Sequence, residues 1–172
     1  MGSRHFGCGR THRLAAPVVA QGDVVGQDQT LFRALNPKHY EEGMPGENHF
    51  VLRRNDPPND GLSTAVTSLI SLDDFRTLPV LVEYLGAGFG VAELTVEEIA
   101  AKVREHGLPI RVIHSPEESW GVHRDAHAVI TGHQELTGNA GRKKILDFQR
   151  FLMGLARKNF HPPLDGAPQA GQ

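Results

Sequence analysis

Residues 142–158 carry the pattern that most restricts what this chain can fold into. Ile145, Leu146, Phe148, Phe151, Leu152 and Leu155 recur at helical spacing on one side, while Arg142, Lys143, Lys144, Arg150, Arg157 and Lys158 occupy the other. A helix with so wide an apolar stripe must lie on a surface built by the rest of the chain. Burying six such side chains contributes on the order of 10 kcal/mol before conformational entropy is set against it.

The remaining sequence supplies short strand-like runs and three shorter helical patterns, which together predict an α+β fold. The expected sheet is mixed and mostly antiparallel, with a capped middle helix and the long amphipathic helix at the C-terminal end. Residues 30–35 read as a strand stopped by Asn36-Pro37, residues 49–53 as a second strand, and residues 62–66 as a third. Between the last two, Asn55, Asp56, Pro57, Pro58, Asn59, Asp60 and Gly61 form a turn cluster.

Ser71 with Asp74 predicts a helix start, Pro79 a break and then a second short helix over 80–85, and Gly86, Gly88 and Gly90 its end. Residues 91–94 alternate as a strand. Thr95 and Glu98 have the spacing of a capping box for a helix over 96–106 that Gly107 terminates. Residues 108–114 and 126–130 are further strands, and Ser115-Pro116 has the form of a cap and first turn. The chain divides into an irregular arm (1–28), one folded body (29–160) and a tail (161–172) rich in proline and glycine.

Composition removes several classes of function. Of 172 residues, 39% are hydrophobic and 22% charged, which suits a globular chain. Eighteen Lys and Arg against twenty Asp and Glu leave a net charge of −2, without the sustained positive field that a nucleic-acid backbone or an anionic membrane selects. Cys8 is the single cysteine, so no internal disulfide forms and a reducing cytoplasm is the expected compartment. The apolar stretch at 14–20 is short, is broken by Pro17 and does not make a transmembrane segment.

Familiar catalytic motifs are missing. Gly86, Gly88 and Gly90 do not make a dinucleotide fingerprint, since Val91 stands where the third glycine is required, three positions after Gly88, and a strand rather than a helix follows. His5, Cys8 and His12, and separately His123, His127 and His133, are metal-capable residues close in sequence, but neither set has the arrangement of a zinc site, and no metal cofactor is expected. A Gly-x-Ser-x-Gly elbow is absent, and no base lies near Cys8.

What remains is a set of polar residues on strands: Arg33 in the first, Ser63 and Thr64 in the third, and His127 in the last. A guanidinium grips a pyrophosphate through two N–H groups, and a hydroxyl both donates and accepts beside an amide. With Leu31-Phe32-Arg33 early in the body, Ser63-Thr64 on a later strand and a polar residue on a late strand, the layout resembles bacterial toxins and effectors of the ADP-ribosyltransferase-like fold. These include type VI secretion effectors and the NAD-degrading toxins of toxin–antitoxin pairs.

The resemblance implies NAD as the substrate, with Arg33 on its phosphates and Ser63 and Thr64 shaping the nicotinamide pocket. The third place, on the ribose, falls to His127, Glu93 or Glu135, and a cognate immunity or antitoxin protein is the implied partner. The competing reading is a non-enzymatic interaction module, such as an immunity protein or a subunit of a larger assembly, because no catalytic set is complete and both ends are suited to ordering on a partner.

Overall fold

The computed structural model describes residues 19–52 and 61–164. In chain order the elements are β1 (Thr30–Leu35), the short hairpin β2 (Tyr40–Glu41) and β3 (Met44–Pro45), then β4 (Leu62–Val66), α1 (Leu72–Arg76) and α2 (Pro79–Leu85). They continue with β5 (Gly90–Thr95), α3 (Val96–His106), β6 (Arg111–His114), β7 (His127–Thr131), α4 (Gly138–Lys158) and β8 (Phe160–His161). Six strands form one sheet in the order β6-β7-β4-β1-β5-β8, and every ladder among the described residues is antiparallel. The α+β class expected from sequence is the one observed.

Strand alternation sorts the core into two layers, one on each face of the sheet. On the first face Leu31 and Leu35 of β1, Leu62 and Val66 of β4 and Ala128 and Ile130 of β7 meet Ile99 of α3 and Phe148, Leu152 and Leu155 of α4. On the second, Phe32 and Ala34 of β1 and Ala65 of β4 meet Phe75 of α1, Leu78 and Trp120. The long amphipathic helix therefore covers one face, as its stripe requires, with Leu152 fully buried and Leu146 at the stripe's margin 43% exposed. It begins at Gly138, earlier than its apolar pattern does.

Local signals explain most element boundaries. The Ser71 hydroxyl accepts from the Asp74 amide at 3.1 Å to start α1, and Pro79 occupies the first turn of α2, where its missing N–H costs nothing. Gly107 ends α3 in the left-handed conformation.

Four expectations need correction. The Thr95–Glu98 capping box does not form: Thr95 makes no side-chain cap, the Val96 amide donates to the Gln29 carbonyl at 3.1 Å, and Glu98 instead accepts from Lys158 of α4 at 3.1 Å. Tertiary partners have displaced the local one. The strand expected at 49–53 is a 3-10 turn over Glu47–Phe50, closed by the His49 ring; residues 53–60, with most of the turn cluster, lie outside the described residues.

Ser115 does not cap a helix, because the 3-10 segment Glu118–Ala126 takes Glu117 as its cap and Ser115 serves a different purpose. The body also extends past its expected ends. Val25 is 1% exposed and its amide bonds Val112, while β8 pairs with β5 and the Leu164 amide donates to the Gly88 carbonyl. Residues 1–18 and 165–172 lie outside the described residues.

Candidate functional site

The two central strands do not stay together. β1 pairs with β5 along its whole length, from Thr30↔Thr95 to Leu35↔Gly90, and β4 pairs with β7 from Leu62↔Ile130 to Ala65↔His127. Between β1 and β4, however, the ladder holds only Leu31↔Val66 and Phe32↔Ala65. Beyond that point the sheet opens as a V, each arm secured by its outer neighbour.

The opening is bridged by Arg33, whose alternation with Leu31 and Leu35 turns it toward the first face. Its Nη1 donates to the Ser63 carbonyl at 2.9 Å and its Nη2 to the His49 carbonyl at 3.2 Å. The guanidinium replaces a missing rung of the ladder and ties the start of β4 to the turn that follows β3. It is thus engaged with backbone in this structure.

His49 is buried at 3% exposure and serves the same wall. Its Nε2 lies 2.8 Å from the Asn36 carbonyl, which can only accept, so Nε2 carries the proton. Burial, the largest effect on this ring, pushes its pKa below the ordinary value and keeps it neutral, so Nδ1 accepts from the Gly46 amide at 3.1 Å. Both ring nitrogens are spent on backbone.

On the second face, Ser63 and His127 meet across β4 and β7. Ser63 stands opposite Val129, and Ala65 opposite His127, so the two side chains are diagonal neighbours on one face. Ser63 Oγ lies 2.8 Å from His127 Nε2. His127 Nδ1 bonds the Ser115 carbonyl, again an acceptor only, so Nδ1 carries the proton and Nε2 is left to accept the hydroxyl hydrogen of Ser63.

Burial is the largest effect on His127 and lowers its pKa, opposed by the Ser115 carbonyl and the nearby Glu117 charge, so the imidazole is neutral near pH 7. Trp120 packs against the ring edge-on with centroids 4.8 Å apart, fixing its plane.

Two clefts flank this arrangement and share Gly61, Ser63 and Leu81 as a common wall. The first, about 280 Å³, is lined on its far side by Arg33, Asn36, His39, Asn48, His49 and Tyr84. The second, about 320 Å³, is lined by Val80, Ser115, Glu117, Ser119, Trp120, His127 and Val129. Glycine is required at the junction: Gly61 has φ +114° and a Cβ there would meet the Ile130 carbonyl oxygen at 2.5 Å.

The sequence-derived candidates are therefore brought together unevenly. Arg33 lines one cleft, His127 the other, and Ser63 both. Thr64 faces away, buried on the first face with its hydroxyl donating to the Ala128 carbonyl at 3.0 Å. Neither glutamate considered for the third position lines either of these two clefts: Glu93 pairs with His161 at 2.7 Å, and Glu135 with Arg111 at 3.3 Å.

Sequence reasoning missed Glu117, the carboxylate that does line the His127 cleft, where it caps the segment carrying Trp120. Its signal in the sequence is its place directly after Ser115-Pro116, at the start of the segment it caps. Among the described residues no group of three His, Cys, Asp or Glu side chains is placed to hold a metal ion, and no helix is long and apolar enough to cross a membrane. His5, Cys8 and His12 lie outside the described residues. A scan against protein-family models and searches of curated proteins and of solved structures match nothing.

Proposed function

We propose that the V-shaped opening between β1 and β4, together with the adjoining cleft beside His127, binds a dinucleotide of the NAD class and that the protein consumes it, acting in a reducing cytoplasm as a toxin or effector does. The observation carrying this reading is the pair of adjoining clefts with Ser63 at their shared wall. A two-headed ligand needs two lobes and a polar waist. The lobes here end in aromatic surface, Tyr84 in one and Trp120 in the other, suited to stacking on a flat base.

In this reading Arg33 supplies the positive charge near the linking phosphates, and its bonds to the Ser63 and His49 carbonyls fix the width of the waist. Ser63 offers its hydroxyl at the wall the clefts share, and the Glu117 carboxylate, in the cleft with His127, is the group this reading assigns to stabilising positive charge on the ribosyl group. The reaction breaks the bond between the nicotinamide nitrogen and the ribose carbon, with water or a protein side chain taking the ribosyl group.

The test is NAD turnover by the purified full chain, followed by release of nicotinamide. Turnover that is lost in Arg33→Ala and in Glu117→Gln while both variants stay folded supports the reading. Absence of turnover together with no thermal shift in millimolar NAD removes it.

A further inference from the structure

We infer that Ser63 is an activated nucleophile, with His127 as its general base and the Ser115 carbonyl as the group that fixes the imidazole, and that the Trp120 cleft accepts a small activated acyl compound. This does not rest on the nucleotide reading. It follows from three features that coincide at one point: the 2.8 Å contact between hydroxyl and imidazole, the Nδ1–H held by a backbone carbonyl, and an open cleft beside the hydroxyl.

The tautomer is what gives the arrangement its chemistry. A histidine whose Nε2 carried the proton would donate to Ser63 and leave the hydroxyl inert. Here the Ser115 carbonyl admits only Nδ1–H, so the imidazole presents a lone pair to the serine hydrogen. A backbone carbonyl orients the ring in the way a buried carboxylate does elsewhere, although it provides no negative charge to stabilise the imidazolium. A pair that served only to satisfy two buried polar groups would enclose the hydroxyl, yet Ser63 is half-buried and faces both clefts.

No nucleophile elbow is needed, because neighbouring strands bring the base to the serine. In the acylation step Ser63 Oγ bonds to the carbonyl carbon of the substrate while its hydrogen passes to His127 Nε2. Collapse of the tetrahedral species breaks the bond to the leaving oxygen, which takes that proton from Nε2. Water then attacks the acyl-serine with His127 again as base, releasing the acid and restoring Ser63 Oγ–H. Val80, Leu81, Trp120 and Val129 line the cleft with apolar surface, and Glu117 disfavours an anion, so a short uncharged acyl group fits.

The probe is diisopropyl fluorophosphate, small and apolar, incubated with the full chain near neutral pH and read by intact mass and peptide mapping. One adduct per chain on Ser63 is expected, absent in Ser63→Ala and formed at least about 10²-fold more slowly in His127→Gln. Should His127→Gln fail to fold, Ser63→Cys substitutes for it: its thiol is expected to react with iodoacetamide at a pH where an ordinary thiol is protonated.

No adduct, an adduct on another residue, or equal labelling with and without His127 overturns the inference. NAD is scored separately, so a chain that consumes NAD without labelling defeats only the nucleophile, and one that labels but neither consumes NAD nor shifts its melting in millimolar NAD defeats only the nucleotide reading.

Discussion

Two buried histidines, His49 and His127, stand on opposite arms of the same opening and carry their protons on opposite nitrogens. His49 gives Nε2–H to the Asn36 carbonyl and accepts the Gly46 amide on Nδ1; His127 gives Nδ1–H to the Ser115 carbonyl and turns Nε2 to the Ser63 hydroxyl. The first is a clamp closing a turn. The second keeps one nitrogen for a side chain that faces a cleft. Burial and depressed basicity are common to both, so neither property separates structure from chemistry; the partner of the second nitrogen does.

The largest effect that would sharpen this contrast is His49→Ala. It leaves the buried Gly46 amide without its ring partner and takes one of two donors from the Asn36 carbonyl, which keeps the His39 amide at 3.0 Å; with the packing of a ring only 3% exposed lost as well, a loss of roughly 2–4 kcal/mol is expected by denaturant unfolding. A change below about 1 kcal/mol would break the comparison, because His49 would then be no clamp.

Next is Arg33→Lys, which keeps the charge but cannot bond the Ser63 and His49 carbonyls as a planar fork. A loss of about 1–3 kcal/mol is expected, with NAD turnover falling even where the folded fraction is held equal. Near-neutral stability would mean that the guanidinium does not hold the arms of the V.

Smaller still is the stability cost of Ser63→Ala, expected at under about 1 kcal/mol, because the hydroxyl is half-buried and water can reach His127 in its place. The contrast with His49→Ala is the point: one substitution should damage the fold and the other only the chemistry. Equal losses would place both histidines in the same structural class.

The least effect is a tilt in stability with pH. His49, His114 and His127 all have pKa values pushed below their ordinary 6.5, each chiefly by burial. The unfolded chain therefore takes up protons first as the medium acidifies. Their contribution to stability is complete above pH 6.5 and declines as the pH falls below it toward their folded values. Melting temperatures measured across that window should drop on the acid side, and His127→Gln should lessen the slope.

Much of the scaffold is legible in the sequence because its signals are local. The strand-like runs at 30–35 and 62–66, the Ser71 cap, Pro79 and Gly107 each act within a few residues, and each element follows where they place it. Where a signal competes with partners farther along the chain it misleads: Glu98 is engaged by Lys158 from the last helix, and the start of the run at 49–53 is held in a turn by the His49 ring, which reaches back to the Asn36 carbonyl.

The site was legible only in part for the same reason. Arg33, Ser63 and His127 could be named as polar residues on strands, but their grouping depends on sheet order, which places β4 between β1 and β7 across large separations in sequence. Thr64 illustrates the limit, since one step along β4 turns its hydroxyl to the opposite face. Glu117 was overlooked because its relevance comes from proximity to His127 rather than from any motif.

The central claim is the tautomer of His127, and long-range proton–nitrogen NMR correlation of the histidine rings near pH 7.5 reads it directly. The expected spectrum shows the His49 and His127 rings neutral and of opposite type, Nε2–H for His49 and Nδ1–H for His127, with the His127 assignment confirmed by its loss in His127→Gln. A His127 ring that is Nε2–H, or charged at that pH, would leave Ser63 without a base and contradict the account.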